Sequence, residues 1–123
     1  MSLAGTGTGL APLSPIIKSA LNQNHQGRIT LVHGGLIDED IYYREELEML
    51  SLMFNTFFFK PCVIKSQGLF PEAFIEKYAL TYLQEPMQTK VYVCGPKEMT
   101  NKLKTQIFLA GVSSKNIFSD IFL

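Results

Sequence analysis

Short apolar runs alternate along the chain with longer stretches whose apolar residues recur at helical spacing. In the stretch PEAFIEKYALTYL, for example, Phe74, Ile75, Tyr78 and Leu83 follow this spacing. Strands that alternate with helices are typical of βαβ units with a parallel sheet. The pattern therefore predicts an α/β domain, with strands in the runs RITLVHGG, FFFKPCVIKS, KVYVCGP and NIFSDIFL.

Three further helices are predicted between these strands. One follows the glycine-rich segment AGTGTGLAP, and another ends at Gly111 after the stretch KEMTNKLKTQIFL. The third covers IDEDIYYREELEML, whose acidic residues 38–40 suit the positive end of a helix. Pro61 interrupts the run FFFKPCVIKS and cannot donate a ladder hydrogen bond, so this strand is expected to start irregularly or to lie at an edge of the sheet.

The glycine-rich segment lies almost at the start of the chain. Only Ser2, Leu3 and Ala4 remain to form a strand before it, so the first strand is predicted to be truncated. Turns of this kind connect a central strand to a helix and direct free backbone amides at a phosphate. The glycine spacing does not match G-x-G-x-x-G, and the segment by itself is equally consistent with a tight strand-to-helix connection.

A second candidate site lies in VYVCGPKEM, where a buried strand ends at Cys94 and a helix begins directly after Pro96. In a parallel sheet Cys94 then lies on the same carboxyl edge as the glycine turn, and such sheets bind ligands at that edge. A lone cysteine at a strand end is more often a small buried hydrophobic residue, and His33 is equally consistent with a structural histidine. The spacing supports no Ser-His-Asp or Cys-His pair.

Composition narrows the possible functions. A chain of 123 residues fits one domain, and a formal net charge of +0 with scattered Lys and Arg argues against nucleic acid as a partner. The longest apolar runs are too short for a membrane span. Cys62 and Cys94 lie in separate segments, so no metal site is expected, and two free thiols indicate a reducing, cytoplasmic location. The opening residues carry no signal-peptide pattern.

Taken together, the two turns resemble the NAD(P)-binding domain of the ferredoxin–NADP reductase family. AGTGTGLAP, LVHGG with DEDIYYREELEML, VYVCGPKEM and GVSSKNIFSDIFL resemble the family's motifs in the right order. The resemblance implies a three-layer Rossmann-like fold, with a five-stranded parallel sheet in the order 3-2-1-4-5 and helices on both faces. Residues 1–3 are interpreted as an added start and residues 4–123 as the nucleotide-binding domain, which a flavin-binding barrel precedes in a full-length family member.

The resemblance also implies roles for individual residues. Cys94 packs near the nicotinamide and helps to position it without acting as a nucleophile. The glycine turn faces the pyrophosphate and the nicotinamide ribose. Met99 packs under the second turn, although filling the core explains this residue more simply. The cofactor-binding residues implied in this way are Gly7, Thr8, Gly9, Ala11, Pro12, Gly34, Ser66, Gln67, Cys94, Gly95, Pro96 and Met99.

Two departures from the family pattern bear on the choice between NADH and NADPH. NADP-using members commonly place Ser-Arg after the third strand, where the guanidinium holds the 2′-phosphate, and this chain has Ser66–Gln67. The acidic residues 38–40 would repel that phosphate and could accept hydrogen bonds from a ribose diol. The simpler explanation of the acidic run is that it stabilises a helix N-terminus. Together, Gln67 in place of arginine and the acidic run favour NADH over NADPH.

The resemblance implies an oxidoreductase that passes hydride from NAD(P)H to FAD or FMN and electrons on to an acceptor protein with an iron–sulfur or haem centre. The isolated domain is expected to bind nucleotide weakly and to be inactive alone. The alternative is a stand-alone nucleotide-binding or regulatory module of the same fold. A truncated central strand would leave its neighbours with unpaired edges, so self-association of the chain is also expected.

Overall fold

A five-stranded parallel sheet forms the centre of the molecule, and helices cover both of its faces. The computed structural model describes residues 1–7, 10–23, 25 and 27–122. The strands are β1 (Ser2–Thr6), β2 (Ile29–Gly35), β3 (Phe57–Val63), β4 (Val91–Pro96) and β5 (Ile117–Phe122). The helices are α1 (Leu10–Asn22), α2 (Arg44–Met53), α3 (Ile75–Thr81) and α4 (Lys97–Leu109).

The strand order is β3-β2-β1-β4-β5, and every neighbouring pair is parallel. The predicted α/β fold and the predicted order 3-2-1-4-5 are therefore confirmed. Strand β3, which contains Pro61, lies at one edge of the sheet. This is one of the two positions that the proline predicted, because a residue without an amide hydrogen is tolerated best where one side of the strand has no partner.

The first strand is short but has a partner strand on both sides. The segment Ser2–Thr6 pairs with residues 30–34 of β2, and residues 2–5 pair with residues 91–94 of β4. Leu3 is fully buried, so the opening residues contribute to the core. With five residues against seven in β2, the strand is truncated only in length. Both β2 and β4 have β1 as a partner, so the sheet has no gap at β1. The expected self-association through unpaired edges at such a gap therefore has no structural basis.

Two apolar clusters attach the helices to opposite faces of the sheet. The first includes Leu3, Ile29, Leu31 and Phe57 from the strands and Leu13, Ile17, Leu21 and Leu47 from α1 and α2. The second includes Ala4, Val32, Cys62 and Val93 from the strands and Ile75, Ala79, Leu103 and Ile107 from α3 and α4. Successive side chains of a strand point to opposite faces, which explains why both clusters draw on the same strands.

Helix α2 begins later than the sequence predicted. The segment Asp38–Asp40 forms a 3₁₀ turn, and the α-helix starts only at Arg44. Asp40 Oδ2 accepts hydrogen bonds from the amides of Leu36 (3.0 Å) and Ile37 (3.1 Å). A short carboxylate side chain bonds nearby backbone amides readily. Asp40 therefore closes the turn after β2, and the expected helix N-terminus at the acidic run is wrong.

Helix α3 is shorter than the stretch PEAFIEKYALTYL predicted. The chain before it is extended, since Glu72 pairs with Val63 in an isolated parallel bridge and the amide of Ala73 donates to the Val63 carbonyl (3.0 Å). Phe74, one of the residues at helical spacing, is exposed and lies just before the helix. The amide of Val63 in turn donates to the Pro71 carbonyl (3.0 Å), so this segment pairs with the end of β3 and the helix begins only after it.

Candidate functional site

The carboxyl ends of β1, β2 and β4 meet at the centre of one sheet edge. Gly5 of β1 lies opposite His33 of β2 on one side and opposite Cys94 of β4 on the other. Beyond this edge β1 leads into α1 on one face, whereas β4 leads into α4 on the other. Open parallel sheets bind ligands in the crevice where the strand order reverses in this way. The two turns singled out from the sequence are therefore neighbours in space.

Gly7 leaves room for a ligand in the glycine turn. Its φ is +53°, a left-handed conformation, and a Cβ at this position would have no described atom within 4 Å. Thr8 and Gly9, which complete the predicted turn, lie outside the described residues. Ala11 is exposed and Pro12 half-buried in the first turn of α1, where the helix dipole favours negative charge.

Gly95 is the second glycine of the site, and its surroundings are crowded. A Cβ at this position would collide with Cε of Met99 and would lie 3.0 Å from Oγ1 of Thr6. Met99 itself is half-buried, whereas Pro96 is exposed at the start of α4. The missing side chain at Gly95 allows the first turn of α4 to fold closely over the end of β4.

Cys94 lies on the same sheet face as His33, with Gly5 between them. The side chain is 4% exposed. Burial, and to a smaller extent the charge of Asp120, raises the pKa of its thiol. Asp120 pairs with Cys94 across β4 and β5. A thiol with a raised pKa stays protonated at neutral pH, which disfavours nucleophilic attack. No motif in the sequence marks Asp120, and only the pairing of β4 with β5 places it beside Cys94.

His33 is a second residue of this edge that no sequence motif assigns to the site. Its side chain is completely buried, and its Nε2 lies 3.3 Å from the carbonyl oxygen of Gly7. Burial lowers the pKa of His33, while the Gly7 hydrogen bond and the negative charge of Asp40 oppose this shift. The only sequence signal was a histidine near the end of a predicted strand.

Gly34 contributes to close packing at the end of β2. A Cβ at this buried position would lie 3.1 Å from Cβ of Ile75 and 3.3 Å from Cγ2 of Thr6. Helix α3 approaches the sheet closely here because residue 34 has no side chain. The surroundings of Gly34 thus consist of protein atoms on the α3 face, and its place in a nucleotide site stays a prediction.

Ser66 and Gln67 lie in the loop after β3, two strands away from β1. The amide of Ser66 donates to Glu72 Oε2 (2.9 Å), and the amide of Gln67 donates to Asp38 Oδ2 (3.1 Å). The side chain of Gln67 is exposed. Two carboxylates therefore hold this loop, and one of them comes from the acidic turn after β2. The structure thus brings together the two segments that bear on cofactor choice.

The second cysteine, Cys62, is a core residue. It is completely buried among residues of β4, α3 and α4, and burial, with a smaller effect of the Glu76 charge, raises the pKa of its thiol to about 12. Cys62 and Cys94 are both free. In the described part of the chain, no cluster of three or more His, Cys, Asp or Glu side chains could hold a metal ion.

Across residues 1–7, 10–23, 25 and 27–122, none of the helices has both the length and the apolar character that a membrane span requires.

Comparison with known sequences identifies a matching family. The family described as the oxidoreductase NAD-binding domain matches residues 3–105. The toluate 1,2-dioxygenase electron transfer component of Pseudomonas putida is 27% identical over 125 residues, covering 98% of this chain and 36% of that protein. NADH-cytochrome b5 reductase 1 of Dictyostelium discoideum is 32% identical over 125 residues, covering 95% of this chain and 42% of that protein. The chain thus spans well under half the length of both relatives.

A solved structure has the same fold. The cytochrome P450 reductase of Amycolatopsis superposes on this chain with a TM-score of 0.92 at 24% sequence identity. The superposition covers 99% of this chain and 37% of that one. The sheet order, the helices and the two strand-end turns therefore belong to a fold that is already known from experiment.

Proposed function

Because the chain belongs to the oxidoreductase NAD-binding domain family, we propose that it is the pyridine-nucleotide-binding domain of a flavin-dependent oxidoreductase. In this function hydride passes from NADH or NADPH to FAD or FMN. The observation that carries the proposal is the pairing of Gly5 with Cys94, which brings the glycine turn beside the turn at residues 94–96. A nucleotide placed at this edge would contact both turns.

The glycine turn would hold the pyrophosphate and the nicotinamide ribose. Gly7 fits this role because a ligand can approach its backbone closely, and the first turn of α1 adds a favourable dipole. Thr8 and Gly9 would also face these groups, with Ala11 and Pro12 setting the helix against them. Bound NAD(P)H supplies the hydride, and the chain itself binds and orients the dinucleotide.

The second turn would position the nicotinamide. The thiol of Cys94, kept protonated by its raised pKa, would lie as a small uncharged group behind the nicotinamide at the carboxyl edge. Gly95 and Pro96 shape the backbone there, and Met99 fixes Gly95 by packing over it. Positioning of this kind accelerates transfer between two cofactors without any covalent step by the protein.

The loop after β3 would bind the adenosine, with a preference for NADH. Segments 36–40 and 65–72 contain four carboxylates (Asp38, Glu39, Asp40 and Glu72) and one cation, Lys65. An adenosine 2′-phosphate would be repelled by this excess of negative charge. Ser66, Gln67 and Gly34 lie where the ends of β2 and β3 come together.

The complete protein would have further parts and partners. We place residues 4–123 in a nucleotide-binding domain that works with a flavin-binding domain of the same protein. The electron acceptor would be an iron–sulfur or haem protein, and the location cytoplasmic. The relatives described as a dioxygenase electron transfer component and a cytochrome b5 reductase support an acceptor of this kind.

Titration with NADH and NADPH tests the proposal. The chain has no tryptophan, so energy transfer from tyrosine to bound NAD(P)H can be followed directly. We expect saturable binding of both nucleotides, tighter for NADH, and no turnover without a flavin domain. Absence of saturable binding to the folded chain would overturn the function. A flavin-barrel sequence upstream in the gene would distinguish a reductase from a stand-alone module.

Gln67→Arg tests the assignment of the loop after β3. A guanidinium there should hold the 2′-phosphate, so the affinity for NADPH is expected to rise about tenfold while that for NADH changes by less than about twofold. Gln67→Met serves as the control, because it removes the amide without adding charge. An equal rise for both nucleotides, or no rise for NADPH, would contradict the assignment.

A further inference from the structure

The imidazole of His33 lies inside the protein, next to the glycine turn. It is completely buried, and His33 stands directly opposite Gly5 in the pairing of β1 with β2. The ring reaches past Gly5 along the central strand to the backbone carbonyl of Gly7. His33 therefore contacts the turn from the side of the core.

A hydrogen bond joins the ring to the turn. Nε2 lies 3.3 Å from the Gly7 carbonyl oxygen, and since a carbonyl only accepts, Nε2 carries the proton. Burial lowers the pKa of His33, so the ring is neutral at pH 7 and Nδ1 has no proton. Nδ1 is buried, and no donor among the described residues reaches it. The single N–H of the ring is thus committed to Gly7.

This bond determines how the turn presents its backbone. Gly7 adopts φ +53°, so the chain changes direction there. Because the carbonyl belongs to a planar peptide group, holding the Gly7 carbonyl towards His33 restricts rotation of the backbone at Gly7. Backbone that is already oriented binds an anion more tightly, because no free energy is spent on ordering it during binding.

We propose that His33 is a positioning residue for the nucleotide, and that its Nε2–H bond to the Gly7 carbonyl holds the backbone of Gly7 in the left-handed conformation that receives the pyrophosphate. The inference rests on the proposed function, since the pyrophosphate belongs to the dinucleotide of that function. His33 acts through Gly7 and needs no contact with the nucleotide.

Two variants of the 123-residue chain test the hydrogen bond. His33→Phe keeps an aromatic ring and removes the donor, and we expect the Kd for NADH to rise about tenfold. His33→Gln places an amide donor near the position of Nε2, and its Kd should stay within about twofold of the original. A purely structural role would instead weaken binding in both variants in step with their loss of stability.

Thr100→Val is the matched control. Thr100 is also completely buried close to the site, and among the described residues its hydroxyl has no hydrogen-bond partner. Removing this hydroxyl should leave the Kd for NADH unchanged. A tenfold rise in this control would show that any buried polar residue near the edge affects binding, which would overturn the specific role of His33.

Nitrogen-15 NMR of the nucleotide-free chain provides an independent measurement. The chemical shifts should show the neutral Nε2–H tautomer of His33, and the Nδ1–H tautomer would overturn the inference even if NADH binds. If the unmodified chain binds NADH and His33→Phe binds it equally well, the inference fails and the proposed function stands. If the unmodified chain binds no NADH, the proposed function itself fails, and the role of His33 with it.

Discussion

Gly7 and Gly95 lie at the ends of neighbouring strands, but their surroundings are opposite. A side chain at Gly7 would enter space that is empty of described atoms, whereas one at Gly95 would meet Met99 and Thr6. One glycine leaves room for something outside the protein, and the other allows two parts of the protein to approach. Glycines in similar sequence patterns can therefore contribute to binding or to stability, and substitution at each should separate the two effects.

Gly95→Ala should produce the largest effect, a loss of about 2–4 kcal/mol in the free energy of unfolding. The added Cβ collides with Met99, and the φ of +156° is one that residues with side chains rarely adopt. Urea unfolding followed by circular dichroism measures the loss. A variant as stable as the original chain would show that the surroundings of Gly95 have room for a side chain.

Met99→Ala provides the control for this collision. If the methyl of Met99 is the obstacle, the double variant should be more stable than the sum of the two single losses predicts, by about 1 kcal/mol. Strict additivity would assign the loss to the backbone conformation of Gly95 and not to the contact.

Gly7→Ala should weaken nucleotide binding and have a smaller effect on stability than Gly95→Ala. The left-handed conformation costs alanine about 1 kcal/mol of stability, but no described atom obstructs the new Cβ. The Kd for NADH should rise about tenfold, because the methyl group occupies the space of the ligand. Gly111→Ala is the control, since Gly111 has φ +114° at the far end of α4. If both variants weaken binding equally, Gly7 has no specific part in the site.

The pH dependence of the free energy of unfolding should also reflect the different surroundings of the two glycines, although this effect is smaller. Gly7 is bonded to the titratable His33, whereas Gly95 is surrounded by Met99, Thr6 and Thr100. The lowered pKa of His33 means that the unfolded chain takes up a proton first as the pH falls below about 6.5. The contribution of His33 to stability should therefore be complete above that pH and decline below it, by up to about 1.4 kcal/mol per pH unit.

The measurement compares the original chain with His33→Phe by urea unfolding between pH 5 and pH 8. In His33→Phe, the free energy of unfolding should lose the pH dependence that arises from His33 and keep the pH dependence that arises from other groups. Identical slopes in the two proteins would mean that His33 has the same pKa in the folded and unfolded chains.

The two helices whose starts were predicted wrongly show where sequence patterns are insufficient. The acidic run before α2 matched a helix N-terminus, but Asp40 bonds the amides at the end of β2, and Asp38 bonds the amide of Gln67 in the loop after β3. Phe74 matched the periodicity of α3 but lies in a segment whose neighbours Glu72 and Ala73 bond to the end of β3. In the first place aspartate side chains bond amides of the adjoining loops, and in the second the backbone before Phe74 pairs with the end of β3.

The sequence alone was sufficient for the α/β fold class, for the edge position as one of two alternatives for β3, and for the strand ends at residues 5–7 and 94–96 that meet at one edge of the sheet. These features depend on local patterns: hydrophobic spacing, glycines that permit close approach, and a proline that lacks an amide hydrogen.

The contacts among residues far apart in the chain could not be predicted in this way. Only the pairing of β1 with β2 places His33 under Gly7, only the pairing of β4 with β5 places Asp120 beside Cys94, and only the packing of Met99 shows that Gly95 has no free space. Such contacts depend on strand register and helix packing, which join segments that no local sequence pattern connects.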